Sequence, residues 1–527
     1  MDIFDLIVIG SGFGGAMAAL PAVQAGKRVL MIERGGWVKR SEANWGAEGF
    51  FSLTGAYSSE TPYRVRSHDH EESLGAIACV GGSSVFYGGV ALRLRERDFL
   101  PDPDLDGDSG AAWPYSYDDL EPYYSKAERL LNVAGCTGAD PTEPRRSDAY
   151  PQQPPPLAPI SRRIGEVAQT MGLHPFPLPL AINYGPLPGQ SACVRCGTCD
   201  GFACAIGAKN DIATVLIPAL ENGGLTLVCD TVAVRLAVSG RRVAEVECVD
   251  RRTMAARRYG GRAVAVAAGA LATPHLLLAS GVERFNPASD AVGRFLMRHC
   301  NAVVMGVFAK KPAPSGEFHK QIGIQDYYYG HPSVNAPKGK LGCIQQFATP
   351  QTAYMVRHAE HWIDHRYAGI VRSVAHGVRS WFVPLGVPHI SGLIVIAEDR
   401  PSRANRVSLT TEVNRFGVPG AVVAHEYGER DLAARDALMT AAETLLRRAS
   451  AFYVFRDPIN TFSHAVGTVR MGPDPRCSPL DEWSAFRGLD NLWVTDASVF
   501  PRSGGVNPSL TIAANALRAG DRITASL

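Results

Sequence analysis

The chain is 527 residues long, with 53 Lys and Arg against 51 Asp and Glu and a formal net charge of +2. That length exceeds one ordinary core and predicts two closely joined domains. Near-neutral charge without a Lys/Arg block leaves no electrostatic footprint for nucleic acid. Eleven cysteines, an odd count scattered outside one cluster, fit reduced thiols in a cytoplasmic protein better than a disulfide framework. The N-terminus enters an apolar strand almost at once. Without a basic leader, a small-residue cleavage site or a long apolar run, neither export nor membrane spanning is expected.

Leu6-Ile-Val-Ile9 suits a buried parallel strand. Ala16 to Ala25 reads as a helix ending near Gly26, and Val29-Leu-Met-Ile32 as a second strand, so the start is one βαβ unit. Tyr117 to Leu131 has helical spacing, with Leu120, Tyr124, Ala127 and Leu131 on one face. The proline-rich run from Pro151 to Pro159 predicts an extended crossing between domains. Arg262 to Ala268 resembles another central strand. From about 300 to 460 aromatics, histidines and turn residues mix with strand-like runs such as Ile390 to Ala397, the texture of a substrate-side sheet with covering helices. Leu492-Trp-Val-Thr495 then reads as a strand and Ser509 to Ile523 as a helix. The predicted fold is α/β with an α+β second domain: a discontinuous Rossmann-type cofactor domain over 1–150, 190–300 and 460–527, and a substrate domain over 151–189 and 301–459, built on a mainly antiparallel sheet covered by helices.

Gly10-Ser-Gly12-Phe-Gly-Gly15 sits between the first strand and helix. Gly10 allows a tight turn, Gly12 lets backbone approach a pyrophosphate, and Gly15 lets the helix pack on the strand. The helix N-terminus then offers unpaired N–H groups to phosphate. Glu33 ends the second strand, where a carboxylate takes ribose hydroxyls and disfavours a 2′-phosphate. The motif does not separate FAD from NAD, and a ligand-free turn is its simplest alternative. Gly81-Gly82-Ser83-Ser84 is a second such turn, open to a flavin or its phosphates.

At the other end stand His464, Asp496 and Asn507-Pro508. A neutral imidazole can accept an alcohol proton near working pH. An asparagine can hydrogen-bond the oxygen as it becomes negative. Asn507 also suits a helix N-cap with Pro508 at the first helical position, and that helix end can favour negative charge on a reduced flavin. Capping alone is the alternative for Asn507, and a buried structural histidine the alternative for His464.

Together these motifs resemble the glucose–methanol–choline (GMC) flavoprotein oxidoreductases. The resemblance covers Gly10–Glu33, Gly81–Gly89 and 460–523. It is most specific in His464-x-x-Gly-Thr468-x-Arg-Met-Gly472, Asn491-Leu-Trp-Val-Thr-Asp496-Ala-Ser498 and Asn507-Pro508-x-Leu-Thr511. It implies an FAD-dependent alcohol oxidation with His464 as the active-site histidine and Asn507 as its partner. Hydride would pass from the substrate carbon to flavin N5, and oxygen or another acceptor would reoxidise the flavin. It also implies that Gly10, Gly12, Gly15, Glu33, Gly82, Ser83, Asp496 and Pro508 line FAD. Some relatives attach the flavin through a histidine just after the second glycine turn. Val85-Phe86-Tyr87 has none, so non-covalent FAD is expected. Sterol-oxidase relatives tend to carry Asn where Tyr87 stands. The run Val85–Gly89, with Pro179-Leu-Ala-Ile-Asn183 and Gly207-Ala-Lys209, looks more like members acting on sugars, glycosides and aminoglycoside intermediates.

The expected substrate is therefore a small-molecule alcohol of the sugar, glycoside or aminocyclitol class. Polar and aromatic residues such as Gln325, Tyr327, Tyr328, Tyr329, His331, Gln345 and Gln346 suit it. A sterol or other apolar alcohol, and an electron-transfer flavoprotein without alcohol chemistry, are the alternatives. Glu398 is a candidate for tuning the site or binding a substrate hydroxyl. His358, His361 and His365 have helical spacing but no companion carboxylate or cysteine, so no metal is expected there. Cys193-x₂-Cys196-x₂-Cys199-x₄-Cys204 is near an iron–sulfur spacing, but Ala follows Cys204 where that run has Pro. An iron–sulfur cluster or zinc is possible there but not favoured over thiols that pack as small hydrophobes or form a local disulfide.

Overall fold

The computed structural model describes residues 3–46, 49, 63–67, 70–75, 77–314, 316–350, 352, 355, 356, 359 and 383–527. His358, His361 and His365 lie outside the described residues.

The chain opens as βαβ: β1 (Ile3–Ile9), α1 (Phe13–Gln24) and β2 (Val29–Ile32). β1 is wholly apolar from Leu6 onward and pairs in parallel with β2 on one side and β3 (Ala256–Val266) on the other. Such a strand is buried on both faces, which is why its sequence is a continuous apolar run. The short strand Leu492–Val494 adds beside β3 in parallel, bringing the C-terminal region back into the first sheet. Strands Arg242–Asp250 and Thr231–Ser239 extend that sheet antiparallel. β3 starts six residues before the expected Arg262 because its first residues, Ala256–Tyr259, form a mostly exposed arm paired with strand Arg242–Asp250.

A second sheet of six strands is antiparallel throughout. At its centre are β4 (Cys300–Phe308), β5 (Gly342–Phe347) and β6 (Ile390–Ala397). Phe176–Pro177 forms one edge and Ala451–Pro458 the other. Alternation gives this sheet two unlike faces. Cys300, Ala302, Val304, Ile344, Leu393, Val395 and Ala397 pack on α2 (Glu429–Arg448) and on helix Pro159–Thr170. The opposite face carries Asn301, Val303, Cys343, Gln345, Ile394 and Ile396, paired by register across the three strands. A four-stranded sheet joins two segments distant in sequence, because strand Pro419–Ala424 pairs in parallel with Tyr63–Ser67.

The last helix, α3 (Ser509–Ala525), packs against α1. Its cap position is Pro508, whose carbonyl accepts from Ile512 N at 2.9 Å. The expected cap at Asn507 is thus one residue off. Pro508 already has helical dihedrals, and the Asn507 side chain is engaged elsewhere.

Candidate active site

The glycines around α1 divide by what a methyl group would meet. At Gly10 (φ +103°) a Cβ would stand 2.4 Å from Ala267 O, and at Gly15 it would stand 1.9 Å from Gly10 O. Gly14 is as tight, 2.5 Å from Thr495 O. These three let backbone pack on backbone, and they let the helix start at Phe13 rather than Ala16. Gly12 differs. Its dihedrals are open to any residue, and its Cβ would meet only Gly81 O, at 3.8 Å. Neither packing nor φ requires glycine there, so the empty space itself is the feature, as a cradle for an approaching ligand requires. The second glycine turn faces it: a Cβ on Gly82 would lie 3.5 Å from Gly12 Cα, and Gly81 N donates to Ser11 Oγ at 3.0 Å. Ser83 is exposed beside it. No side chain caps α1 and no acidic residue stands in its first turn, so its N–H groups face the cradle. A dinucleotide pyrophosphate fits this arrangement.

Glu33 is buried at the end of β2. It accepts from Ser11 Oγ (2.6 Å), Ser11 N (3.2 Å) and Gly35 N (2.9 Å), which shapes the first glycine turn. Burial pushes its pKa up, against those hydrogen bonds. Asp496 follows strand Leu492–Val494. Its oxygens accept from Gly269 N (2.8 Å), Thr273 Oγ1, Ser498 N (2.8 Å) and Ser498 Oγ (2.5 Å). Asp496 therefore fastens the strand ends of the first sheet beside Gly14.

The turn from Ser503 to Asn507 is held by a set of buried polar side chains. Asp399 Oδ1 accepts from Ser503 Oγ at 2.7 Å, and Glu398 Oε1 accepts from Gly504 N at 3.2 Å. Tyr328 Oη accepts from Gly505 N at 3.0 Å and donates to Asp98 at 2.7 Å. Gln345 Nε2, on β5, donates to Asn507 Oδ1 at 2.6 Å. Lys340 stands between Asp98 (2.9 Å) and Glu398 (3.2 Å), one cation shared by two buried carboxyl groups. Glu398 is consequently not a free loop carboxylate. It is buried, and burial raises its pKa while Lys340 opposes the shift.

His464 reaches this turn through a residue that no sequence motif singles out. Its Nδ1 lies 3.0 Å from Nδ1 of His299, with the rings perpendicular. His299 Nε2 in turn lies 2.8 Å from Gly504 O and 3.1 Å from Ser503 O. His464 is thereby tied through His299 to the carbonyls of Ser503 and Gly504, a few positions before Asn507 on the same turn, while the Asn507 side chain itself bonds Gln345. Protein crowds the His464 ring although part of it stays accessible. That desolvation, with His299 and Lys320 adding to it, pushes its pKa well below the ordinary 6.5.

The cysteine segment is organised by Lys209, which is buried and donates to the carbonyls of Phe202 (2.6 Å), Tyr87 (2.7 Å) and Cys199 (3.1 Å). Cys193, Cys196, Cys199 and Cys204 are all free thiols. Burial pushes the Cys193 thiol up to about 11. Among the described residues no group of three or more His, Cys, Asp or Glu is arranged to hold a metal ion. Among them, too, no helix is long and apolar enough to cross a membrane.

Residues 7–301 match the N-terminal family model described as GMC oxidoreductase, and residues 401–516 match the C-terminal model of the same description. The chain belongs to the GMC oxidoreductases. This GMC oxidoreductase is similar to 6'''-hydroxyparomomycin C oxidase of Streptomyces lividus, at 31% identity over 100% of the chain and 92% of the relative. It is also similar to paromamine 6'-oxidase of Streptomyces fradiae, at 30% identity over 100% of the chain and 92% of the relative. Its fold is that of pyridoxine 4-oxidase from Mesorbium loti, with a TM-score of 0.66 at 18% identity over 98% of this chain and 99% of the other. As a GMC oxidoreductase it carries FAD and oxidises a hydroxyl group.

Proposed function

We propose that this GMC oxidoreductase oxidises a hydroxyl of an amino sugar, or of a related glycoside or aminocyclitol, to a carbonyl, with His464 as the base. The observation that carries the reading is the 3.0 Å contact between His464 and His299, because His299 also bonds the turn that ends in Asn507. The substrate class follows the two aminoglycoside oxidases that resemble the chain along its whole length. The second sheet supports it. Asn301 Oδ1, Gln345 Oε1 and both polar atoms of Gln325 are buried without a protein partner. Buried amides left open in this way favour a ligand rich in hydroxyl and amino groups over a sterol.

FAD, when bound, supplies the acceptor for the substrate's hydride. We assign its phosphates to the cradle of Gly10, Gly12, Gly15, Gly82 and Ser83, its ribose to Glu33, and its flanks to Asp496 and Pro508, held without a covalent bond. Segments 1–150, 190–300 and 460–527 form the cofactor part in this reading, and 151–189 and 301–459 the substrate part. Neutral His464 takes the hydroxyl proton: the O–H bond breaks, an N–H bond forms, and the electron pair stays on oxygen. With its Oδ1 occupied by Gln345, Asn507 turns its NH₂ toward that oxygen and stabilises the charge. Reoxidation needs a second substrate, oxygen or another acceptor.

Asn507→Ala is expected to lower kcat about 10²–10³-fold, as loss of one oxyanion donor does. Gln345→Leu, which frees the Asn507 amide, lowers it about tenfold. Stopped-flow flavin reduction measures both.

The pH profile follows from the sign of the His464 shift. The base works only when neutral, and burial holds it neutral below the ordinary 6.5. The acid limb of kcat/KM is therefore expected below that pH, with a level profile above it. A break at or above 6.5 contradicts this.

The reading is tested by incubating the purified protein with amino-sugar glycosides, simple polyols and sterols and trapping carbonyl products. An amino-sugar product two hydrogen atoms lighter supports it. Turnover of sterols alone, or of none of the three classes, overturns it.

A further inference from the structure

We propose that His299 is a positioning residue that fixes the tautomer of His464, so that Nε2 of His464 carries the lone pair used for proton abstraction. The proposal deepens the reading above and rests on His464 being the base.

His299 Nε2 faces only the carbonyl oxygens of Ser503 and Gly504, at 3.1 and 2.8 Å. A carbonyl oxygen accepts and never donates, so Nε2 of His299 carries a proton. Burial disfavours a charged imidazole at His299 and at His464 alike, so each ring holds one proton. Nδ1 of His299 is therefore bare. It lies 3.0 Å from Nδ1 of His464. One proton must lie between the two nitrogens, and it belongs to His464 Nδ1. Nε2 of His464 is left unprotonated.

The backbone shows how firmly His299 is held. Its φ is +57°, in the left-handed region that a non-glycine residue seldom enters. Asp399 holds it there, accepting from Arg298 N at 2.8 Å and from His299 N at 3.1 Å. The same carboxylate takes Ser503 Oγ, so it places both the ring and one of the carbonyls that orient it. Tyr427 Oη donates to His299 O at 2.7 Å. The other charged or titratable groups near the pair are Arg298, Lys320 and His425. Lys320 is paired with Asp200 at 2.7 Å, and His425 stands 3.8 Å from Asp399. A serine-protease aspartate performs the same task on its histidine, and its loss of tautomer control costs about 10⁴-fold. Here the controlling group is neutral and acts by accepting one hydrogen bond from His464 Nδ1–H.

The test uses ¹⁵N-histidine-labelled holoenzyme. The His464 signals are identified as those missing from His464→Ala. The expected wild-type spectrum has a protonated Nδ1 and a bare Nε2 on His464. His299→Leu removes the acceptor. It should shift His464 toward the Nε2–H form and slow anaerobic flavin reduction about 10²–10⁴-fold, with little change in substrate affinity. His299→Asn, whose amide oxygen stands near the lost Nδ1, should restore most of the rate and the wild-type tautomer. A wild-type His464 protonated at Nε2 overturns the proposal without needing any His299 variant to fold. So does a His299→Leu enzyme with unchanged tautomer and rate. Rapid flavin reduction in His464→Ala would instead remove the base assignment, whatever the spectrum shows, so the two failures are distinguishable.

Discussion

His464→Ala is expected to slow anaerobic reduction of the flavin by substrate about 10²–10⁴-fold, the usual contribution of a positioned base. The protein should stay yellow. The ring lies at the turn around Ser503–Asn507 and outside the glycine cradle, so cofactor content is not the quantity it controls. Substrate affinity should change little, because the proton is transferred only on the way to the transition state. A variant that bleaches its flavin as fast as the parent removes His464 from the mechanism.

Gly12→Asp should separate cofactor binding from folding. A Cβ at Gly12 meets only Gly81 O, at 3.8 Å, and φ there is −72°. Aspartate is moreover a favoured residue at a helix N-cap, the position Gly12 occupies on α1. The apoprotein should therefore melt no lower than wild-type apoprotein. The carboxylate would point into the space assigned to the pyrophosphate, where like charges about 4 Å apart repel by about 4 kcal/mol at intermediate dielectric. That is roughly three decades in FAD affinity, read by flavin release after dialysis. Gly15→Ala behaves oppositely: its methyl would lie 1.9 Å from Gly10 O, so that variant should fail at folding itself. Retention of stoichiometric FAD by Gly12→Asp would refute the cradle.

Much of this was legible from local pattern. The βαβ start announced itself because a buried parallel strand must be apolar throughout and a phosphate turn must be glycine-rich. Ile390–Ala397 was bounded correctly at both ends because it is a short, nearly continuous apolar run, as a strand buried on both faces must be. Errors arose where tertiary contacts decide. α1 begins at Phe13 because Gly14 and Gly15 pack on backbone from Thr495 and Gly10, which helix propensity alone disfavours. Asn507 is not a cap because Gln345, 162 positions away, takes its oxygen. His299 was invisible for the same reason. Its partner His464 is 165 residues distant, and its left-handed backbone is imposed by Asp399 rather than by any local residue type.

The central claim is that His464 and Asn507 act together on a hydroxyl whose carbon faces the flavin. It is tested most directly by mixing the yellow protein, without oxygen, with an amino-sugar alcohol carrying either hydrogen or deuterium on the carbinol carbon. The account predicts rapid loss of the oxidised-flavin absorbance, slowed by deuterium and nearly abolished in His464→Ala. Bleaching with no isotope effect and no dependence on His464, or no bleaching by any hydroxylated compound, would contradict it.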